Sequence, residues 1–410
     1  MTLNARKENM TFDTTENYVT RAQDSIMPLY DVKDAILERG EGCHVWDTEG
    51  RQYLDCIAGI AVVSVGHCNK RVIEVATDQM NKLWMCSGSY QTEAKIKCAE
   101  FLIDITCMEQ VFFTNSGTEA VEGALKLARK WAHINKGPNC KEIIAFKNSF
   151  HGRSYGAVTC TYKSTKQPEF APYLPGVHHA DFNDLESVKS LINDNTCAIL
   201  VEPIQGEGGV LEATQEFMTG LRELCDKHQI VLIDDEIQVG AGRTGTLFAY
   251  ENYNIEPDIM TIAKGMGGGF PVGAFLAKKK YSSVFKYGDH GSTYAGNPIA
   301  TRITYEVLDQ VRQPEFLKNV NDIGQYLVAG LEKLKSETNS IEQIRGKGLM
   351  IGIDTVYDIG KLLKELQRNG LLATQAGEKT LRLTPPLVMG KAEADEALEK
   401  IGHVIKKGVM

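Results

Sequence analysis

Between residues 70 and 300, short apolar runs (QVFFT, EIIAF, CAILVE, IVLIDD, DIMTIA and VGAFLA) alternate with segments of helical periodicity. Ala120, Ala124, Leu127, Ala128 and Trp131 fall on one helix face, as do Phe217, Leu221 and Leu224. Apolar runs bounded in this way suit strands buried on both faces. Their alternation with helices predicts an α/β architecture with a mainly parallel central sheet flanked by helices. Beyond about residue 305, EFLKNVNDIGQYLVAGLEKLKSE, IRGKGLMIGI, DIGKLLKELQRNG and KTLRLTPPL read helix, strand, helix, strand, with a last helix near EADEALEKIGHVIKKG. This predicts a smaller α+β domain. CHVWDTEGRQYLDCIAG has the alternation of a hairpin turning at Glu49-Gly50, and residues 1–25 read as a polar, unperiodic arm.

A length of 410 residues is enough for two or three domains. The net charge of −8 gives no electrostatic case for nucleic acid or an anionic membrane as partner. MTLNARKENMTFDTTENYV has no apolar core of the signal-peptide kind, and CIAGIAVVSV is too short to span a bilayer, so the expected location is cytoplasmic. Ten dispersed cysteines without a CxxC read as reduced thiols. The histidines show no ligand spacing and His178-His179 reads as a loop feature, so no metal is expected.

Three places can carry chemistry. In FFTNSGTEAVEGALKLARKW a strand runs through Ser116-Gly117-Thr118 into an amphipathic helix. This is an anion-ready turn, although N-capping alone would explain the hydroxyls. VLIDDEIQVGAGRTG ends a strand in Asp234-Asp235-Glu236, at the sheet edge where α/β proteins bind ligands. Side chains alternate along a strand, so Asp234 and Asp235 cannot both enter one site. The same segment holds Gly240-x-Gly242-x-x-Gly245, formally a dinucleotide fingerprint, but no helix of the right kind follows it. In DIMTIAKGMGGGFPVG, Lys264 leaves a buried strand just before a glycine loop. Taken alone it is a lysine snorkelling to water; desolvated, it is an amine nucleophile. An amine, a phosphate cradle and a carboxylate together are what pyridoxal 5′-phosphate requires.

The strings FFTNSGTEAVEGALKLARK, FHGRSYGAVT, VEPIQGEGGV, LIDDEIQVGAGRTG, TIAKGMGGGFPVGA and DHGSTYAGNP occur in an order that resembles the class III, fold-type I pyridoxal-phosphate aminotransferases. Within them the chain is most similar to the N-acetylornithine aminotransferases. The resemblance implies Lys264 as Schiff-base lysine and Asp235 as partner of the cofactor ring nitrogen. It places Ser116, Gly117 and Thr118 at the phosphate, joined by Thr293 of the neighbouring subunit in an obligate homodimer. It also implies Phe150 and Ile237 on the two ring faces and Gln238 at the phenolic oxygen. Arg153 would take the α-carboxylate of the acylated ornithine and Arg382 the carboxylate of 2-oxoglutarate, with Glu207 switching Arg382 between substrates.

The implied reaction moves the ω-amino group of N-acetylornithine to 2-oxoglutarate, yielding N-acetylglutamate semialdehyde and glutamate, as in arginine biosynthesis. Succinylornithine, ornithine and 4-aminobutyrate are alternative amines. A glutamate-semialdehyde-type aminomutase and a noncatalytic nucleotide binder built on GAGRTG are rivals of other kinds. CSGSYQTE (86–93) departs from the family's Ser-Asn-Leu-Tyr pattern in a segment that lines the family's substrate pocket. The expected division is an arm (1–25), an N-terminal segment packing with the small domain (26–69), a large cofactor-binding domain (70–305) and a C-terminal small domain (306–410).

Overall fold

The protein was analysed as a computed structural model describing residues 15–30, 33–163 and 167–409. Its centre is a seven-stranded sheet. In spatial order the strands are Gln110–Thr114, Gly273–Ala277, Ile259–Ile262, Val231–Asp235, Thr196–Val201, Glu142–Phe146 and Val177–Ala180. All run parallel except Gly273–Ala277, which is antiparallel to both of its neighbours. The inner strands Thr196–Val201, Val231–Asp235 and Ile259–Ile262 are buried at every position, as their unbroken apolar runs require.

Helices cover both faces. On one, the helix Gly117–Lys136 buries Ala120, Ala124, Leu127, Ala128 and Trp131 against the sheet. Ser116 caps its first turn, Glu119 lies near the positive end of its dipole, and Gly137 ends it at φ 114°. On the other, Gln215–His228 buries Phe217, Leu221 and Leu224. The helix Pro298–Val311 buries Ile299, Ile303, Val307, Leu308 and Val311 in that same core, running on past residue 305.

A second core gathers the helices Pro314–Thr338, Ile359–Arg368 and Lys391–Lys407 around the strands Ile341–Lys347, Met350–Thr355 and Thr380–Leu383. Cys43, Leu54 and Cys56 join it from the N-terminal side, where the strand Gln52–Asp55 pairs with Leu371–Leu372. The 44–55 hairpin forms with His44 opposite Leu54. Its turn is held by Asp47, which accepts from the backbone N–H of Glu49 and Arg51 and from the Tyr53 hydroxyl.

Three local expectations differ. IRGKGLMIGI is two antiparallel strands, because Gly348 turns the chain at φ 57° between Lys347 and Met350. Thr15–Ser25, part of the segment read as unperiodic, is a helix with no buried residue; residues 1–14 lie outside the described residues. His178 and His179 sit in the edge strand Val177–Ala180, whose ladder bonds to Glu142–Phe146 outweigh their weak strand propensity. All ten cysteines are free, and seven of them are buried.

Candidate active site

The strands Gln110–Thr114, Val231–Asp235 and Ile259–Ile262 run in the same sense, so their carboxyl ends open on one edge of the sheet. A cavity of about 460 Å³ lies there. Ser116, Gly117, Thr118, Phe150, Arg153, Glu207, Asp235, Ile237, Gln238 and Lys264 all line it. Of the residues expected from sequence, Arg382 stands just behind this wall. Thr293 is exposed and lies outside the cavity of its own chain. Ser87 to Gln91, expected at a substrate pocket, are likewise exposed and away from it.

Lys264 follows the strand Ile259–Ile262 with φ at 42°, a left-handed geometry that costs a non-glycine residue about 1–2 kcal/mol. Burial lowers its pKa to about 8, with Arg382 adding to the effect and Glu207, Asp235 and Glu202 opposing it. A lysine in this range is partly neutral near physiological pH and can act as a nucleophile or a base.

Asp235 is the strand-end carboxylate that enters the cavity. Its Oδ1 accepts from the Thr261 hydroxyl at 3.0 Å and the Ile237 N–H at 3.1 Å, and its Oδ2 pairs with His151 Nδ1 at 2.6 Å. Asp234 points to the other side of the strand and is fully buried. Burial and the charge of Glu236 raise its pKa well above the usual carboxylate range. Strand alternation alone left the choice between Asp234 and Asp235 open; the side chains' surroundings decide it.

His151 and Glu202 were missed by the sequence reading, although His151 lies inside FHGR and Glu202 inside VEPIQGEGG. Both line the cavity. Burial alone would depress the His151 pKa, but the hydrogen bond and charge of Asp235, with Glu202, carry it above the ordinary histidine value. Glu202, buried and accepting the Phe150 N–H at 2.9 Å, is pushed up to about 7 by burial. Neither has a sequence signature apart from the fold, because each is defined by what it faces across the sheet edge.

Opposite Lys264, a Cβ on Gly117 would lie 2.9 Å from Ile237 Cδ1, so only glycine lets Ile237 pack over the helix start. Arg153 stands over the Phe150 ring, its guanidinium carbon 5.2 Å from the centroid. Arg382 is 1% exposed and donates through one terminal nitrogen to Glu207 Oε1 at 2.6 Å, the Gly206 carbonyl at 2.9 Å and Gln238 Oε1 at 3.2 Å. The Gln238 amide also donates to Glu207 at 3.1 Å. Burial would raise the Glu207 pKa, but the charge and hydrogen bond of Arg382, with Lys264 and Gln238, hold it below the usual carboxylate range.

The donor set suits pyridoxal phosphate: an amine of lowered pKa, a buried carboxylate, a glycine-lined helix start and an apolar slot between Phe150 and Ile237. The GAGRTG glycines serve packing instead. A Cβ on Gly242 would lie 2.5 Å from Val311 Cγ1, and one on Gly245 2.0 Å from Asn321 Oδ1.

The family model for class-III aminotransferases matches residues 28–405. The chain belongs to the class-III aminotransferases. This aminotransferase is 43% identical over 390 residues to the acetylornithine aminotransferase of Caldanaerobacter subterraneus subsp. tengcongensis, covering 95% of this chain and 99% of that one. It is also 43% identical over 392 residues to the succinylornithine transaminase of Salmonella typhimurium, covering 94% and 95%. Among solved structures, the ornithine aminotransferase of Toxoplasma gondii superposes with a TM-score of 0.94 at 29% identity, covering 98% and 97%, and is described with partial occupancy of PLP at its active site. The aminotransferase thus has the α/β fold-type I architecture expected from its sequence. None of its described helices is long and apolar enough to cross a membrane.

Proposed function

We propose that this aminotransferase uses pyridoxal 5′-phosphate to transfer the ω-amino group of N-acetylornithine to 2-oxoglutarate, giving N-acetylglutamate semialdehyde and glutamate. The observation that carries the reading is the convergence of Lys264, Asp235 and the Gly117 cradle on one cavity behind which Arg382 is buried. The bound cofactor supplies an electron-withdrawing ring that makes the hydrogen on the amine-bearing carbon acidic. Lys264 would hold the cofactor through its amine, and its lowered pKa suits it to serve as the base for that hydrogen. Asp235 would stabilise the protonated ring nitrogen, and His151 and Thr261 hold Asp235 in place. Ser116, Gly117 and Thr118 would hold the phosphate, Phe150 and Ile237 would flank the ring, and Gln238 would serve the phenolic oxygen.

Two carboxylate-bearing substrates must use one cavity in turn. Arg153, at the exposed mouth, binds the α-carboxylate of the acylated amine. Glu207 neutralises Arg382 while that substrate is bound and swings away when the dicarboxylate arrives. The planar guanidinium then takes a carboxylate in two parallel hydrogen bonds. Succinylornithine is the second reading, favoured by an equal identity to the Salmonella transaminase.

The working unit is a homodimer in which Thr293 of each chain completes the phosphate site of the other, and its place is the cytoplasm, in arginine biosynthesis. The exposed Ile26, Met27, Leu29, Tyr30, Trp84, Tyr90 and Tyr294 are the kind of apolar surface that a second copy covers.

The test is borohydride trapping with peptide mapping, followed by single half-reactions with N-acetylornithine, N-succinylornithine, ornithine and 4-aminobutyrate. A label on Lys264 and fastest bleaching with N-acetylornithine are expected. A label elsewhere removes the cofactor assignment, and faster reaction with another amine reassigns the substrate.

A further inference from the structure

A chain of hydrogen bonds leads from Thr118 through Ser154 to Glu122. Thr118 Oγ1 accepts the Ser154 N–H at 3.1 Å and lies 2.6 Å from Ser154 Oγ. Ser154 Oγ donates to Glu122 Oε1 at 2.6 Å. That same oxygen accepts the N–H groups of Gly156 at 2.8 Å and Ala157 at 3.1 Å. Glu122, borne on the helix Gly117–Lys136, therefore caps the helix Tyr155–Cys160, whose own N-cap residue, Ser154, makes no side-chain cap bond. Two glycines make the approach possible. A Cβ on Gly152 would lie 2.4 Å from Thr118 Oγ1, and one on Gly156 2.3 Å from Glu122 Oε2.

Counting protons fixes the direction of this chain. Glu122 Oε1 already receives two backbone donors, so it is an acceptor toward Ser154 as well, and the single Ser154 proton is spent there. The contact between the two hydroxyls must then use the single proton of Thr118. A phosphate held at Gly117-Thr118 claims that same proton. Ser154 and the phosphate compete for it, and Arg153 lies between Gly152 and Ser154, on the loop this contact holds.

We propose that Ser154 and Glu122 are positioning residues that couple the phosphate cradle to the Arg153 loop, with the Thr118 hydroxyl, which keeps its proton, turning its donated hydrogen bond from Ser154 to the phosphate on binding. The proposal rests on reading Gly117-Thr118 as the phosphate cradle. When the Thr118 hydroxyl turns to the phosphate, the loop keeps its backbone bond to Thr118 and its anchorage on Glu122, beside the bonds of Phe150 to Glu202, of His151 to Thr161 and Asp235, and of Gly152 to Thr161. Glu122 then anchors the far side of that loop, through Ser154, Gly156 and Ala157.

The consequence is counterintuitive: deleting a hydroxyl beside the cradle tightens it. Inorganic phosphate titrated into the cofactor-free protein should bind Ser154→Ala about twofold to tenfold more tightly than the parent, the range of one net hydrogen bond. Because the gain passes through the Thr118 proton, it should vanish in a Thr118→Val background. In the holoenzyme, Glu122→Ala should raise KM for the acylated amine with KM for 2-oxoglutarate unchanged, and Glu122→Gln, which retains an acceptor, should restore it. Unchanged or weaker phosphate binding by Ser154→Ala, or an equal gain without the Thr118 hydroxyl, overturns the coupling. So does an equal rise in both KM values. Borohydride labelling of Lys264 in the parent reports separately on the proposed reaction, so failure of the one is distinguishable from failure of the other.

Discussion

His151 Nδ1 and Asp235 Oδ2 lie 2.6 Å apart, with both side chains buried. The pair joins the loop after the strand Glu142–Phe146 to the end of the strand Val231–Asp235, fixing how the carboxylate faces the cavity. His151→Ala should retain the cofactor but slow proton removal by about 10- to 100-fold, the worth of a charge-assisted hydrogen bond. His151→Asn, which can still donate, should recover part of the rate. Single-turnover bleaching with the amine substrate measures both, and a wild-type rate in the alanine variant would remove the histidine from the mechanism.

Lys264→Ala should lose turnover and the visible absorbance of the lysine-bound cofactor together. Survival of either, measured by coupled glutamate production and by spectroscopy, would disprove the covalent assignment.

The lysine also makes a pH prediction. Its folded-state pKa of about 8 lies below the unfolded value of 10.5, so the unfolded chain binds the extra proton between those pH values. Stability of the cofactor-free protein should therefore rise as pH climbs from 8 toward 10.5. Lys264→Met should lack that rise and be more stable at pH 7 by roughly 2–3 kcal/mol. Urea denaturation at pH 7, 8.5 and 10 distinguishes the two, and parallel curves would show that the ammonium is not desolvated.

Arg153 is exposed at the cavity mouth, whereas Arg382 is buried against Glu207. Arg153→Ala should raise KM for the acylated amine tenfold or more, on the order of one lost charged contact, while sparing 2-oxoglutarate. Arg382→Ala should do the reverse and also leave Glu207 with only the Gln238 amide of its two side-chain partners. Matching losses for both substrates in separate half-reactions would mean the two roles have been exchanged.

A Cβ on Gly206 would stand 1.7 Å from Gln238 Oε1, so a side chain there requires the Gln238 amide to move. Gly206→Ala should push Gln238 off both Arg382 and Glu207, costing about 1–3 kcal/mol of stability and most of the discrimination between the two substrates. Thermal unfolding alongside paired KM values checks this, and an unchanged substrate ratio would mean that Gln238 has no part in the switch.

What could be read along the chain was whatever repeats locally. Buried parallel strands carry unbroken apolar runs, and helix faces carry their spacing of three and four. IVLIDD and the face from Ala120 to Trp131 were therefore legible as a strand and a helix without any partner in view. Lys264, Asp235 and Gly117 were legible because each ends or begins such an element. The choice of Asp235 over Asp234 came only through family resemblance, since alternation says that two adjacent residues differ in face but not which one meets the cavity.

Tertiary structure decided everything set by distance across the sheet edge. His151 lies 84 positions from Asp235, and Arg382 175 from Glu207. No periodicity links such residues: His151 and Asp235 meet because one parallel sheet gathers strands that the chain visits far apart in sequence, and Arg382 reaches Glu207 from the antiparallel strand Thr380–Leu383 of another sheet. The same reason separates a lysine at a strand end from a lysine of lowered pKa. The sequence by itself determined where an amine could stand, and burial in the packed site, with the charges of Glu207, Arg382, Asp235 and Glu202 around it, decided how strongly it holds its proton.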